Sequence, residues 1–208
     1  MIIKALNIFH SYDKDTALED VCLEIKKGDF ICLIGESGSG KTTLLSILST
    51  LLKPKRGDLF FEGLEYKNIK NIDQFRQKNI GFIFQFHYLI NYLNLFENVK
   101  LANQKAKDKD ILKIFSLLNI KNLKDKFPTE ISGGQRQRAA IARALINKPK
   151  VLFADEPTGN LDSINAKTVF DLFKKLSNEG MTVIVATHNK ELAQTADKIY
   201  EVKDGKIK

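Results

Sequence analysis

GESGSGKT, residues 35–42, follows the apolar run Phe30–Ile34 and precedes the helical pattern TLLSILSTLL. A strand, a glycine-rich loop and a helix in this order form the context in which the pattern G-x-x-x-x-G-K-[ST] binds phosphate. Glycine at Gly35, Gly38 and Gly40 leaves backbone N–H groups free to surround phosphate oxygens. The stretch therefore predicts a triphosphate site at the start of a helix.

The side chains at the end of this loop are those that a magnesium–nucleotide complex requires. Lys41 supplies a positive charge, and the Thr42 hydroxyl is a ligand for Mg²⁺. The helix that begins near Lys41 directs its positive dipole end at the same anion. We predict that ATP and Mg²⁺ bind here, with the nucleotide contacted by Gly35, Ser37, Gly38, Ser39, Gly40, Lys41, Thr42 and Thr43.

Short apolar runs separated by helical patterns predict a mainly parallel α/β sheet. The four runs are Phe30–Ile34, Ile80–Phe84, Val151–Ala154 and Thr182–Ala186. Ligands bind at the carboxyl ends of strands in open parallel sheets, so the residues that follow each run should converge on one crevice. Those residues are Gly35, Gln85, Asp155, Glu156, Thr187 and His188.

The other patterns predict an antiparallel β edge at the N-terminus and a helical lobe. Alternating apolar residues indicate antiparallel strands at Ile2–Ile8 and Val21–Ile25. Helical patterns cover Glu97–Asn119, Gln135–Asn147 and Ser163–Ser177. We expect one domain over residues 1–208, with a helical lobe inserted at about 86–148.

Two smaller features lie in strand-like sequence. The C-terminal KIYEVKDGKIK places Asp204 and Gly205 between two β-like runs, which predicts a closing hairpin. Cys22 and Cys32 lie among alternating apolar residues without the spacing of metal ligands. Both thiols are therefore expected to pack in the core.

Composition is that of a globular chain, with 43% hydrophobic and 28% charged residues. The apolar runs are far shorter than the roughly 18 residues of a membrane span, and the N-terminus has no signal-peptide pattern. We therefore expect a cytoplasmic location. The formal charge of +8 comes from dispersed lysines with interleaved acids, so nucleic acid is not an expected partner.

VLFADEP, residues 151–157, places two carboxylates directly after an apolar strand. In this arrangement Asp155 can hold Mg²⁺ while Glu156 orients or deprotonates water. Adjacent carboxylates next to a phosphate loop therefore predict hydrolysis of the bound triphosphate.

ISGGQRQRAAIARAL, residues 131–145, predicts a second anion site. Ser132 is a suitable N-cap, and Gly133 and Gly134 allow a phosphate to approach the N-terminus of the helix that follows. Here the sequence resembles the ATP-binding cassette (ABC) ATPases, whose signature LSGGQ is matched apart from Ile131 in place of Leu.

The resemblance extends over nearly the whole chain, with six motifs in the expected order. In such ATPases two cassettes pack head to tail, and each ATP lies between one copy's phosphate loop and the other's signature. The resemblance therefore implies a second copy of the chain as a partner. It also implies that the partner's ATP is contacted by Ser132, Gly133, Gly134 and Gln135.

The resemblance assigns roles to the other residues of the crevice. Gln85 would reach Mg²⁺ and the attacking water, and Thr42 and Asp155 would be the other metal ligands. Glu156 would be the catalytic base or position the water, and His188 would contact the γ-phosphate.

Two further residues take their expected roles from the same resemblance. Tyr12 corresponds to the aromatic residue that stacks on adenine, and Asp162 would lie at the dimer seam. Phe9 is then expected to be a core strand residue. No constellation of polar residues suited to reading the base is evident.

Several features narrow the kind of ABC ATPase that the sequence resembles. The interval from Lys41 to Ser132 has no room for the insertions of DNA-repair cassettes, and translation-associated proteins carry two cassettes per chain. A transporter's ATPase subunit remains. Three stretches resemble the lipoprotein-releasing subgroup: GFIFQFHYL (81–89), ENV (97–99) and DEPTGNLD (155–162).

The resemblance therefore implies an ATPase that dimerises on ATP and drives integral membrane permease subunits in lipoprotein release. Such a chain is peripheral on the cytoplasmic face of the inner membrane. TGNLD is shared with macrolide-export and cell-division ATPases, so an ATP-gated clamp on a membrane protein is the alternative. Partner identity stays open because the segment from Gln85 to Ser132 is short and INYLNLFENV lacks a proline, both near the lobe that docks membrane subunits. A further departure is Asn189, which replaces an aspartate after His188.

Overall fold

A six-stranded and a four-stranded sheet form the framework of the computed structural model, which describes residues 1–208. The strands are β1 Ile3–Tyr12, β2 Asp15–Ile25, β3 Phe30–Ile34, β4 Arg56–Phe61, β5 Leu64–Glu65, β6 Ile80–Ile83, β7 Val151–Asp155, β8 Thr182–Thr187, β9 Lys198–Lys203 and β10 Lys206–Ile207. The helices are α1 Lys41–Leu48, α2 Ile72–Asn79, α3 Leu95–Ala102, α4 Asp108–Leu117, α5 Gly133–Leu145, α6 Ser163–Asn178 and α7 Lys190–Ala193.

The larger sheet has the strand order β10-β9-β3-β8-β7-β6. All neighbouring pairs are parallel except β9 with β10, which form the predicted C-terminal hairpin. The four predicted apolar runs are its strands β3, β6, β7 and β8, so the predicted parallel sheet is confirmed. Continuous apolar sequence suits these strands because both faces of the sheet are covered.

Alternate residues of the central strands enter two different hydrophobic cores. In β3, Phe30 and Cys32 pack with α5 and α6, whereas Ile31 and Leu33 pack with α1 and the smaller sheet. The side-chain period of two thus places one core on each face of the parallel sheet.

The smaller sheet, β2-β1-β4-β5, is antiparallel and forms the predicted N-terminal edge. Its two longest strands are longer than predicted, because β1 extends to Tyr12 and β2 begins at Asp15. The short elements β4, β5 and α2 were not predicted, because their polar and charged residues mask the apolar positions.

Two residues predicted to pack in the core do not. Cys22 is exposed because its neighbours Val21 and Leu23 take the buried face of β2. Phe9 is only half-buried, since register shifts in β1 turn it outward, and the Arg56 guanidinium lies 4.2 Å from its ring centroid. The prediction was correct for Cys32, which is fully buried.

The helices α3, α4 and α5 lie between β6 and β7 in the chain. The predicted single helix Glu97–Asn119 is wrong, because α3 ends at Ala102 and α4 begins at Asp108. Lys100 spans this break by donating to the carbonyl of Ala106 at 2.6 Å. The helix predicted at Gln135–Asn147 is α5, shifted by two residues at each end, and the helix predicted at Ser163–Ser177 is α6. The boundaries of an inserted lobe at 86–148 stay a prediction.

The two cysteines should differ sharply in their reactivity with Ellman's reagent. Burial raises the pKa of the Cys32 thiol to about 12, so this thiol is shielded and protonated at pH 8. We expect one fast-reacting thiol per native chain and two in denaturant. The Cys22→Ser variant should have no fast thiol, and a native chain with two would contradict the assignment.

Candidate nucleotide site

The predicted phosphate loop connects β3 to α1 and is closed on itself by Lys41. The Lys41 ammonium donates to the carbonyls of Gly35 and Glu36, at 2.8 Å each, and the side chain is buried. Residues 36–39 form a turn in which the Ser39 N–H donates to the Glu36 carbonyl at 3.2 Å. Lys41 therefore lies inside the loop, where it can exchange these carbonyls for phosphate oxygens.

The glycines Gly35 and Gly38 of the loop are required for different reasons. A Cβ on Gly35 would lie 2.2 Å from the Val202 carbonyl oxygen, so this glycine avoids the protein's own backbone. Gly38 has φ +80° and open space around it, and glycine adopts that backbone without strain. Sequence reasoning gave both of them, and Gly40, the single role of exposing N–H groups to phosphate.

Thr42 and Asp155 meet where α1 and β7 face one another. The Thr42 hydroxyl donates to Asp155 Oδ1 at 3.1 Å. Burial raises the pKa of Asp155, and the neighbouring Glu156 charge adds to this, while Thr42 and Lys41 oppose it.

The oxygen atoms of Thr42 and Asp155 fit a hard cation such as Mg²⁺. No cluster of three or more His, Cys, Asp or Glu side chains is present, so the remaining ligands would come from an amide, water or phosphate. A cation here would also offset the cost of burying the Asp155 carboxylate.

Glu156 and His188 follow two adjacent strands and contact each other. His188 Nδ1 lies 3.0 Å from Glu156 Oε2, the histidine largely exposed and the glutamate largely buried. Glu156 has φ +43°, a strained backbone for a glutamate, and its N–H donates to the Ala186 carbonyl at 2.9 Å. The carboxylate is thus held in one orientation at the end of the sheet.

The strand ends and the phosphate loop border one cleft of about 750 Å³. The predicted residues that line this cleft are Tyr12, Ser37, Gly38, Gly40, Lys41, Thr42, Thr43, Gln85, Glu156 and His188. Tyr12 lies half-exposed at the cleft, and its ring contacts the His10 ring edge-to-face at 4.9 Å between centroids. Of the other predicted residues, Gly35 and Ser39 lie in the loop behind the cleft, and Asp155 lies behind Thr42.

Sequence reasoning missed four residues that line the cleft. They are Asp15, Thr16, Ala17 and Glu36. Asp13 and Lys14 form the two-residue turn directly after Tyr12, so both strands of this hairpin end at the cleft. That turn was the signal that could have found Asp15, Thr16 and Ala17.

The predicted second anion site lies apart from the cleft. Ser132 is the N-cap of α5, as predicted, and forms a capping box with Gln135, with bonds of 2.9 and 3.3 Å. The N–H groups of Gly133 and Gly134 donate to no group of the protein. None of these four residues lines the cleft with the phosphate loop.

Asp162 is joined to the same surface through Asn165. Asp162 caps α6 by accepting the Asn165 N–H at 2.9 Å, and this bond and the one from the Asn165 amide lower its pKa. Asn165 in turn accepts a bond of 3.0 Å from Arg138 in α5. Ser132–Gln135 and Asp162 therefore form one connected surface, which we call the signature patch.

Phosphate-loop ATPases are the class of protein in which this fold and this cleft occur together. A family model described as ABC transporter matches residues 18–159. The chain belongs to the ABC transporter family, and its fold is that of the ABC ATPase cassette. The predicted family and fold class are thereby confirmed.

This chain is similar in sequence to ATP-binding proteins of two kinds of transport system. The lipoprotein-releasing system ATP-binding protein LolD of Aquifex aeolicus is 44% identical, over 99% of this chain and 96% of that protein. The macrolide export ATP-binding/permease protein MacB of Campylobacter jejuni is 39% identical, over 97% of this chain and 33% of that protein. The resemblance to the lipoprotein-releasing and macrolide-export ATPases is therefore confirmed.

Solved structures of one bacterial ABC transporter cassette, MJ0796, match the whole chain. Its dimeric structure has a TM-score of 0.92 at 36% identity, covering 100% of this chain and 97% of that one. A dimeric structure of its post-hydrolysis state, bound to ADP and Pi, has the same TM-score at 34% identity. The chain is accordingly an ATP-binding and ATP-hydrolysing cassette.

Replacing Asp155 with Asn should weaken ATP binding only when Mg²⁺ is present. A neutral amide is a poorer ligand for a hard cation, so the Kd for Mg·ATP should rise roughly tenfold, while the Kd in EDTA stays near wild type. The melting temperature without nucleotide should hold or rise, because burial raises the pKa of Asp155 and its ionised form destabilises the fold at neutral pH.

Asp171→Asn, on the exposed face of α6, is the matched control for this loss of charge. Calorimetric titration with and without EDTA measures both affinities. An equal loss of affinity in EDTA would show that Asp155 acts on the loop rather than on the cation.

Proposed function

We propose that the chain is the ATP-hydrolysing subunit of a membrane transporter that releases lipoproteins from the inner membrane. The observation that carries this proposal is the 44% identity to LolD over almost the full length of both chains. None of the chain's own helices is long and apolar enough to cross a membrane. The chain would then act at the cytoplasmic face, bound to integral membrane permease subunits.

The phosphate loop and Tyr12 would bind ATP. Lys41 would leave the carbonyls of Gly35 and Glu36 and pair with phosphate, while the N–H groups of Gly38 and of residues 40–43 would donate to the same oxygens. Ser37 and Ser39 shape the loop, and the half-exposed ring of Tyr12 packs on adenine.

Thr42, Gln85 and Asp155 would hold Mg²⁺ at the inner end of the cleft. When bound, the ion supplies positive charge that stabilises the transferring phosphoryl group. Gln85 lines the same cleft as Thr42, and its amide lies close to the turn at Gly159 that follows Glu156. The same amide can then hold the attacking water near the carboxylate.

Glu156 would orient the attacking water and receive its proton. The contact with His188 Nδ1 fixes the carboxylate, and the exposed edge of the imidazole remains free for the γ-phosphate. Water, carboxylate and imidazole would then form one chain of hydrogen bonds at the end of the sheet.

A second copy of the chain would complete each site. The free N–H groups of Gly133 and Gly134 at the start of α5 are suited to an anion, yet they lie outside the cleft of their own chain. Head-to-tail pairing would place the signature patch of one copy, including Asp162, over the ATP of the other. The dimeric cassette MJ0796 supports this arrangement.

Mixing two inactive variants tests the composite site. Lys41→Ala removes the phosphate-binding charge, and Gly134→Asp places a carboxylate where the partner's γ-phosphate would bind. Each variant alone should be inactive. A 1:1 mixture should recover roughly a quarter of the wild-type ATPase rate, since half of the dimers are mixed and each mixed dimer has one complete site.

The mixing experiment requires that both variants fold, which circular dichroism checks. A mixture no more active than its components would mean that each chain builds its site alone, or that one complete site does not turn over. Nucleotide trapping in the mixed dimer separates these two outcomes.

The segment 84–92, which we call the aromatic segment, would dock the permease subunits. Phe86, Tyr88 and Tyr92 are 61%, 63% and 80% exposed, and the Phe86 and Tyr88 rings lie 6.3 Å apart, so the segment presents exposed aromatic surface that suits a protein partner. The backbone beneath is fixed, because Arg143 donates to the carbonyls of His87 and Tyr88 at 2.7 and 2.6 Å. The surface is therefore formed before a partner binds.

Tyr88→Ala combined with Tyr92→Ala should keep the basal ATPase rate within about twofold of wild type, because neither tyrosine lines the cleft. Stimulation by the co-purified membrane partner in proteoliposomes should be lost. Leu64→Ala, an exposed apolar residue on β5, is the control and should be stimulated normally.

The same reconstitution separates lipoprotein release from the second candidate function, an ATP-gated clamp of the macrolide-export or cell-division type. The identity to MacB favours that candidate. ATP-dependent release of a lipid-modified protein would support lipoprotein release. A partner that assembles under ATP control but leaves the ATPase rate unchanged would support the ATP-gated clamp.

A further inference from the structure

The turn of the C-terminal hairpin contacts the phosphate loop from behind. The Gly205 N–H donates to the Ser39 carbonyl at 3.1 Å, and the Gly205 carbonyl accepts the Glu19 N–H at 2.9 Å. Lys206 and Glu19 also form an ion pair at 3.1 Å. The turn thus joins the phosphate loop to β2.

The contacts at three glycines in and behind the loop leave no room for a methyl group. A Cβ on Gly40 would lie 2.5 Å from the Ala17 carbonyl oxygen, and one on Gly205 would lie 2.9 Å from the same atom. At the other end of the loop, a Cβ on Gly35 would meet the Val202 carbonyl in β9. Because the loop is held between β2 and the hairpin, a displaced hairpin must displace the loop.

The bond to Ser39 also sets the direction of the next N–H group. A trans peptide is planar, so its C=O and N–H point in opposite directions. The Ser39 carbonyl points at Gly205, and the Gly40 N–H of the same peptide therefore points away, toward the cleft that Gly40 lines. That N–H donates to no group of the protein.

We propose that the hairpin turn at Asp204 and Gly205 is a positioning element for ATP binding. The Gly205 N–H holds the Ser39–Gly40 peptide in the orientation that presents the Gly40 N–H to a phosphate oxygen. Without this bond the peptide can rotate and present a carbonyl, which repels phosphate. The proposal rests on the phosphate loop being the ATP site, and it requires neither the dimer nor a membrane partner.

The chain contains a matched control for a substitution at Gly205. Glu62 and Gly63 form the turn between β4 and β5 with φ values of +48° and +84°, and Asp204 and Gly205 have +50° and +75°. A Cβ on Gly63 meets nothing within 4 Å. Gly63→Ala and Gly205→Ala therefore impose similar backbone strain, but only the second disturbs the phosphate loop.

Titration with the non-hydrolysable analogue AMP-PNP and Mg²⁺ measures the effect of each variant. The Kd of Gly205→Ala should rise about fivefold, the loss expected for one misdirected hydrogen bond, and that of Gly63→Ala should stay near wild type. In ATPase assays, KM should rise for Gly205→Ala while kcat at saturating ATP changes little, since the carboxylates are untouched. Equal affinities for the two variants would overturn the proposal.

A further variant, Lys41→Ala, tests the ATP site separately from the hairpin. Lys41→Ala should lose nucleotide binding; if it does while Gly205→Ala binds normally, the hairpin proposal fails and the ATP site stands. If Lys41→Ala binds normally, the ATP site itself fails.

Should Gly205→Ala not fold, hydrogen exchange of the wild-type chain provides the test. AMP-PNP should slow exchange of the Gly205 amide more than that of amides in β4 and β5, because coupling between the two sites is reciprocal. Equal protection of both hairpins would contradict the proposal.

Discussion

Parallel pairing of β3, β8 and β7 sets the level at which these three strands end. Ile34 lies opposite Thr187, and Asp155 lies opposite Ala186. The chain leaves the sheet at these positions, so the phosphate loop, the carboxylates and His188 emerge side by side. A slip of one residue in any pair would turn the strand's apolar residues to the wrong core. Packing of the two cores therefore fixes the geometry of the cleft.

The protein's own groups only partly compensate the charges of the cleft, which suits a site for a charged ligand. Lys41 bonds to two backbone carbonyls rather than to a carboxylate, and burial raises the pKa of Asp155. Magnesium and triphosphate would satisfy both groups together. Because such a ligand binds only the folded chain, its binding energy adds to the stability of the loop and of the hairpin behind it.

The parallel sheet and the cleft could be predicted because both depend on local patterns of residues in the sequence. Buried parallel strands read as unbroken apolar runs, and the glycine spacing of the phosphate loop is set by its own backbone. Phe9 and Cys22 were misassigned because the bulges in β1, and the face of the sheet on which each residue of β1 and β2 lies, depend on the partner strand. The clearance that Gly35 needs from Val202 is likewise set by residues far away in the chain.

The helix α5 connects the signature patch to the aromatic segment. Its first turn carries Ser132 and Gln135 of the signature patch, and its last turn carries Arg143, which bonds to the aromatic segment. A helix of this length spans about 20 Å as a rigid rod. Arg138, between the two ends, also holds Asn165 and through it Asp162. A displacement of the aromatic segment would therefore reach the signature patch through α5 and the hydrogen bonds of Arg143 and Arg138.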